Sequence, residues 1–259
     1  MPISPGTLPC ITPATALFLD FDGTLVALAS QPELVQVPPT LTATLAALSG
    51  QLNGALALVS GRPLFDLDHF LAPLQLPAAA EHGAQRRAPD GRLHSAPWAD
   101  LHHVIEAAQA LVQQHPGLRL ERKTLALSLH YRHAPELETL CLQVMREAVE
   151  RSTGIDLMQG KFVIDLKPAG VSKGTAIAGF MDEAPFAGRL PLFAGDDVTD
   201  EAGFEAVQRM GGQAIKVGPG PTLAQHRCAG VAELAAWLQA ATTTVTPAVC
   251  GNGTERLSA

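Results

Sequence analysis

The chain has four cysteines, Cys10, Cys141, Cys228 and Cys250, far apart and without a Cys-x-x-Cys pair. That spacing excludes a zinc ribbon and a disulfide framework, and it fits a reducing cytosol. Basic residues are the minority: 18 Lys and Arg against 25 Asp and Glu leave a formal net charge of −7. Nucleic acid is thereby excluded as the main partner, because a phosphate backbone calls for concentrated positive charge. No apolar run approaches the length that spans a bilayer, and Asp20 interrupts the first one. No basic-then-apolar leader opens the chain, and no internal repeat is visible. A cytoplasmic protein with no membrane partner is expected.

What is present is the composition of an ordinary globular chain, 47% hydrophobic and 17% charged over 259 residues. That length suits one large α/β domain, or a core carrying a smaller insertion, with a hydrophobic core large enough to need no covalent staples. The most telling stretch is Leu17-Phe18-Leu19-Asp20-Phe21-Asp22-Gly23-Thr24-Leu25. A buried strand there ends on two carboxylates one residue apart, and Gly23 frees the backbone to turn. Residues i and i+2 of an extended segment point the same way, so Asp20 and Asp22 can address one reacting centre. Such a pair supplies a nucleophile and a proton donor, or a metal ligand and a base. Taken alone, Asp-Gly is equally a simple turn.

The rest of the chain repeats the pattern of a strand that ends on polar groups. Pro38-Pro39-Thr40 open a helix with Leu41, Leu45 and Leu48 on one stripe, closed by Gly50. Ala55 to Val59 is a second strand, ending on Ser60-Gly61-Arg62, and strand–helix–strand implies a parallel sheet. From Gln85 the texture changes to a turn at Pro89-Asp90-Gly91, an alternating strand over 125–131, a helix over 135–152 and two short strands around 158–166. Seven of the nine histidines fall between His82 and His133. Near Lys167-Pro168 the α/β texture returns: Ser172 caps a helix from Lys173 to Met181, and Leu190 to Ala194 is a strand ending on Gly195-Asp196-Asp197. Ala214 to Val217 is a further strand and Val231 to Ala241 a helix, within which Trp237 reads as core, as does Phe204. The expected fold is α/β, with a doubly wound, mainly parallel, Rossmann-like core sheet over residues 1–84 and 167–241. An α+β unit is inserted at 85–166, and 242–259 is expected to be a disordered tail.

In a parallel sheet all strand carboxyl ends share one edge, so Asp20/Asp22, Ser60/Arg62 and Asp196/Asp197/Asp200 converge there with Lys173. Carboxylates gathered in one cleft repel one another and raise each other's pKa values. A hard dication resolves this, and oxygen-only ligands favour Mg²⁺.

Asp20-Phe21-Asp22-Gly23-Thr24, Ser60 after a strand, Lys173, and Gly195-Asp196-Asp197-Val198-Thr199-Asp200 resemble, in order, the four motifs of the haloacid-dehalogenase-like phosphohydrolases. A narrower resemblance covers most of residues 15–240. Val59-Ser60-Gly61-Arg62, His82-Gly83-Ala84, Glu121-Arg122-Lys123, His130-Tyr131-Arg132 and Lys167-Pro168 are similar to the trehalose-6-phosphate phosphatase family. One departure is Asp165, where relatives carry Glu.

The resemblance implies that the insertion is a mobile cap over a phosphosugar substrate. It makes Asp20 the nucleophile and Asp22 the acid and base. Mg²⁺ is then held by Asp20, the backbone carbonyl of Asp22, and Asp196, with Asp197 or Asp200 positioning metal-bound water. Ser60 and Lys173 bind the phosphoryl oxygens, and Gly23, Gly61, Arg62, His82, Glu121, Lys123 and Asp165 complete the substrate site. Read from the residues alone, Arg62 either caps structure or approaches phosphate, and Glu121 and Lys123 share one face of a strand or form a solvated pair. Arg86-Arg87 reads as solvated surface. The expected activity is hydrolysis of trehalose 6-phosphate by a monomer. The alternatives are the same chemistry on sucrose phosphate or a mannosyl phosphate, a phosphomutase, or a phosphosugar sensor without turnover. Intact Asp20, Asp22 and Lys173 weigh against the sensor.

Overall fold

The computed structural model describes residues 8–244 apart from Ser30 and Trp98. The chain begins with strand β1 (Thr15–Leu19), helix α1 (Leu41–Gln51), β2 (Leu56–Val59), α2 (Leu64–Leu71) and β3 (Ala78–Ala80). A hairpin of β4 (Gln85–Arg87) and β5 (Leu93–Ser95) follows. Next come α3 (His102–Gln114), β6 (Arg119–Arg122), β7 (Leu127–His130), α4 (Glu138–Glu150), β8 (Ile155–Gly160) and β9 (Val163–Pro168). The chain then returns through α5 (Lys173–Met181), β10 (Leu190–Gly195) and α6 (Glu201–Arg209). It finishes on β11 (Gln213–Val217), β12 (His226–Cys228) and α7 (Val231–Thr244).

Two sheets result. The larger has the order β12-β11-β10-β1-β2-β3-β4-β5, parallel from β12 to β3 and antiparallel beyond. Its central strand β1 is buried at every position, as a run of apolar side chains covered on both faces must be. From β1 the chain winds out to β3, then returns to place β10 on the other side of β1, with Leu19 opposite Ala194. The strand order therefore reverses beside β1, the place where open α/β sheets leave a crevice for ligands. Phe18 fills the layer beneath, its ring 5.4 Å from Phe186 and 5.9 Å from Phe180.

The smaller sheet, β6-β7-β9-β8, is antiparallel throughout and is covered by α3 and α4. It has a hydrophobic core of its own, built on Val104, Leu129, Cys141, Met145 and Ile164, and we call this unit the cap. Among the described residues, no helix is long and apolar enough to cross a membrane.

The structure departs from the sequence expectation at several boundaries. The insertion was expected to start at Gln85, but β4 and β5 hydrogen-bond onto β3 and extend the core sheet. They read as foreign because β5 is an exposed edge strand, where polar residues are the rule. At the far end β9 carries the cap sheet to Pro168. Helix α1 does not stop at Gly50; it runs to Gln51 and is closed by Asn53 and Gly54, both with positive φ. Helix α7 continues past Ala241 to Thr244, and the rest of the expected tail lies outside the described residues. Phe204 is buried, and Trp237 packs against the core while its indole N–H donates to the Pro9 carbonyl.

Arg86 and Arg87 are not solvated surface. Arg86 pairs with Glu183 and lies 4.9 Å above the Phe180 ring. Arg87 makes a two-pronged bond to Asp68, 2.7 Å at each prong, and also donates to the Leu76 carbonyl. Removing it strands a carbonyl and a carboxylate at a buried seam. Arg87→Ala is expected to lower the unfolding free energy by about 2 kcal/mol in urea titration, with catalytic rate retained.

Candidate active site

Each acidic cluster sits where a strand has just ended. Asp20 follows β1, and its N–H is fixed by the Ala194 carbonyl of β10 at 2.9 Å. The chain then turns tightly, with Leu25 N–H on the Phe21 carbonyl and Gly23 N–H on the Val26 carbonyl. Gly23 has φ of +82°, and a Cβ there would lie 2.1 Å from Asp196 Oδ2, so only glycine lets the two loops meet. Thr24 donates to Asp196 Oδ1 at 3.4 Å, which ties the loop after β1 to the loop after β10.

Lys173 joins the clusters. Ser172 caps α5, accepting the Thr175 N–H at 3.0 Å, and this sets Lys173 as the first helical residue. Its ammonium donates to Asp20 Oδ1 and to Asp200 Oδ1, each at 2.6 Å. Burial disfavours that charge, but Asp20 and Asp200 outweigh it and hold the lysine pKa above its ordinary value. Asp200, fully buried, uses its second oxygen to accept the N–H groups of Asp196 and Asp197, both at 2.9 Å. Lys216 donates to the Asp196 carbonyl.

Burial pushes Asp20 well above the usual carboxylate range; Lys173 opposes this, and Asp200 and Asp196 add to it. Asp196 is pushed up to about 7, by burial first and then by Asp200. Carboxylate oxygens of Asp20, Asp196 and Asp200 lie within 4.8 Å of one another. An all-oxygen set with this much unneutralised charge fits a hard dication.

Asp22 is held differently. Arg62 grips it with a fork, Nε to Oδ2 at 2.6 Å and Nη2 to Oδ1 at 2.7 Å. The guanidinium is itself fixed by the Pro32 carbonyl at 3.0 Å and lies 4.8 Å above the Phe70 ring. Ser60, buried after β2, accepts the Arg62 N–H at 3.2 Å.

The cap supplies the opposite wall. Lys123, at the end of β6, donates to the Gly61 carbonyl at 2.8 Å and lies 3.6 Å from Asp165. Asp165 accepts from Ser128. Burial works against its charge, but Lys123 and His82 hold its pKa well below the usual range. Glu121 bonds His130 at 2.8 Å; burial opposes its charge, but that bond and Lys123 hold its pKa down. His82 reaches in from the core, in a left-handed backbone conformation with φ of 59°. Its Nε2 is 3.2 Å from Asp165 Oδ2, too poorly aligned for a hydrogen bond, and its Nδ1 has no partner. Burial depresses the His82 pKa against the opposing pull of Asp165, and the unpartnered Nδ1 keeps hydrogen-bonding capacity at the cleft.

These groups line one cleft between core and cap, with acid at its floor and mixed charge at its lid. Residues 18–231 match the trehalose-phosphatase family. The chain belongs to that family. It is similar to the trehalose-6-phosphate phosphatase of Escherichia coli (strain K12), 43% identical over 230 residues that span 88% of this chain and 86% of the relative. A probable trehalose-phosphate phosphatase of Sinorhizobium fredii is 46% identical over 79% of this chain and 78% of its own. Among solved structures, the C-terminal domain of Candida albicans trehalose-6-phosphate phosphatase shares the fold. The TM-score is 0.80 at 21% identity, over 89% of this chain and 92% of that one. The protein is a phosphatase, and its core and cap share the fold of a haloacid-dehalogenase-like hydrolase of B. subtilis, with a TM-score of 0.64 at 13% identity over 89% of this chain.

Of the residues expected in the phosphatase site, all but Gly23 and Asp200 line the cleft. Gly23 and Asp200 lie just behind it as the turn and the brace described above. Asp197 lines the cleft beside Asp196, with Oδ1 accepting Val198 N–H at 2.8 Å and Oδ2 accepting Lys161 N–H from the cap at 3.4 Å. The sequence reading missed the contributions of Ser128, Lys161 and Asp66 to the cleft lining, for which no local signal exists.

The raised Asp196 pKa gives a signed test. Between 3.8 and about 7 the folded protein holds a proton that the unfolded chain releases, so without metal stability is lost as pH rises through that window. Metal binding needs the deprotonated form. In thermal melts, Mg²⁺ is expected to raise Tm more at pH 8 than at pH 5, and Asp196→Asn is expected to remove most of that difference.

Proposed function

We propose that this phosphatase hydrolyses trehalose 6-phosphate to trehalose and inorganic phosphate, with Mg²⁺ and through an aspartyl-phosphate on Asp20. The observation that carries the reading is the single cleft that joins Asp20 and its lysine-braced acidic floor to a lid of Glu121, Lys123 and Asp165. The floor suits a phosphoryl group, and a lid of charged hydrogen-bonding groups suits sugar hydroxyls. The names of the similar phosphatases support the same substrate.

Lys173 occupies Asp20 Oδ1, which leaves Oδ2 to attack phosphorus. The P–O bond to the sugar breaks as the new bond forms, and the sugar oxygen takes a proton from Asp22. Both Asp22 oxygens are engaged by Arg62, so one prong of that fork must release before the proton is delivered. In the second half a water attacks the phosphoryl group, Asp22 takes its proton, and phosphate leaves with Asp20 restored. Ser60 and Lys173 stabilise the phosphoryl oxygens. Asp20, Asp196 and the Asp22 backbone carbonyl would hold Mg²⁺, which would supply positive charge against the transferring group. Asp165 is held at the lid by Ser128.

Asp20→Asn keeps the shape and removes the nucleophile. It should reduce phosphate release from trehalose 6-phosphate at least about a thousandfold, and EDTA should abolish release by wild type. Full turnover in either case contradicts the mechanism.

Lys123→Ala tests the lid. Loss of a charge-assisted hydrogen bond should lower kcat/KM for trehalose 6-phosphate roughly tenfold to a thousandfold. The fall for p-nitrophenyl phosphate, which is too short to reach the lid, should be much smaller. Equal losses would mean that Lys123 serves folding rather than sugar recognition.

A further inference from the structure

Glu81 is completely buried, yet its carboxylate reaches out of the core and into the cap. Oε1 accepts the Thr124 N–H at 2.9 Å and Oε2 accepts the Leu125 N–H at 2.7 Å. These are the two peptides that follow Lys123 in the turn joining β6 to β7, a turn closed by Lys123 N–H on the Ala126 carbonyl at 3.0 Å. The N–H groups inside that turn are thus satisfied by the core, not by the cap itself. A carboxylate that uses both oxygens on successive peptides fixes position and orientation together.

The backbone around Glu81 is bent to make this reach. Glu81 and His82 both have positive φ, 50° and 59°, a conformation unfavourable for residues with a Cβ and retained where surroundings enforce it. Gly83 follows with φ of +101°, and a Cβ there would lie 2.6 Å from the Ser172 carbonyl. Three consecutive residues therefore touch three parts of the closed cleft. Glu81 meets the cap turn, His82 faces Asp165, and Gly83 packs on the residue that caps the helix of Lys173.

We propose that Glu81 is a positioning residue of the phosphatase: it latches the β6–β7 turn of the cap to the core and so places Lys123 over the Gly61 carbonyl and beside Asp165. Glu81 touches no reacting atom. Its effect passes through Lys123, whose ammonium finds its partners only when the turn is seated. The kinetic part of this inference rests on the proposed trehalose 6-phosphate activity; the structural part does not.

Two measurements on the full-length protein test it. Glu81→Gln keeps the shape but turns an amide N–H₂ toward one of the two donors. By NMR hydrogen exchange, the Thr124 and Leu125 amides should exchange at least tenfold faster, while amides in α3 and α4 keep their rates. The kcat/KM for trehalose 6-phosphate should fall about tenfold to a hundredfold, chiefly through KM. Hydrolysis of p-nitrophenyl phosphate should change less than threefold. In a Lys123→Ala background, Glu81→Gln should add less than a twofold further loss, because the two changes remove one effect. If Glu81→Gln fails to fold, Glu81→Asp, which retains charge and shortens the reach, is read by the same criteria. Unchanged exchange at Thr124 and Leu125, equal losses on both esters, or full additivity with Lys123→Ala overturns the proposal. If wild type proves inactive on trehalose 6-phosphate, the functional reading fails, and the exchange rates alone decide the latch.

Discussion

The site depends on one buried lysine. Lys173 sits between Asp20 and Asp200, 2.6 Å from each, with Asp200 fully buried and Asp20 open only to the cleft. A buried charge left without its partner destabilises by about 3–5 kcal/mol, so the three groups stand or fall together. Everything around them serves that placement. The reversal of strand order puts the end of β1 beside the end of β10, and the Ser172 cap starts α5 where Lys173 spans both. The lysine neutralises part of the acidic floor but not all of it: Asp196, raised first by burial, is raised further by Asp200. That residual negative charge is what suits the floor to a dication.

The cap is joined to this floor by a different kind of contact. Core and cap have separate hydrophobic centres, and the ties between them in the cleft are polar. Arg119 on β6 pairs with Glu33, whose pKa is held down to about 2 chiefly by that hydrogen bond. Both groups are exposed, so the pair adds little stability of its own. Lys161 N–H on Asp197 and Lys123 on Gly61 are single hydrogen bonds. The two bonds from the buried Glu81 are the strong tie; the other contacts separate at low cost compared with a shared apolar core, which matters for a site that must admit a disaccharide phosphate.

Much of the core was legible in the sequence because its signals are local. Strands β1, β2 and β10 are largely apolar runs, and each polar cluster of the cleft floor follows one of them directly. The Ser172 cap and Lys173 are likewise readable from neighbours in the chain. What escaped was set by contacts distant in sequence. The edge hairpin of β4 and β5 resembles inserted chain until its pairing with β3 is known. Arg87 looks like a surface arginine until Asp68 and the Leu76 carbonyl are beside it. Glu81, after three alanines, has no periodic or motif signal, because its purpose is defined only by the cap turn that lies 43 residues away.

Phosphate release from a panel of sugar phosphates in Mg²⁺ tests the central claim most directly, because the floor treats all of them alike and only the lid distinguishes them. The account predicts a kcat/KM for trehalose 6-phosphate at least about a hundredfold above those for sucrose 6-phosphate, glucose 6-phosphate and a mannosyl phosphate, since a lid that hydrogen-bonds hydroxyls rejects misplaced ones. Comparable values across the panel, or a clear preference for another member, would contradict it.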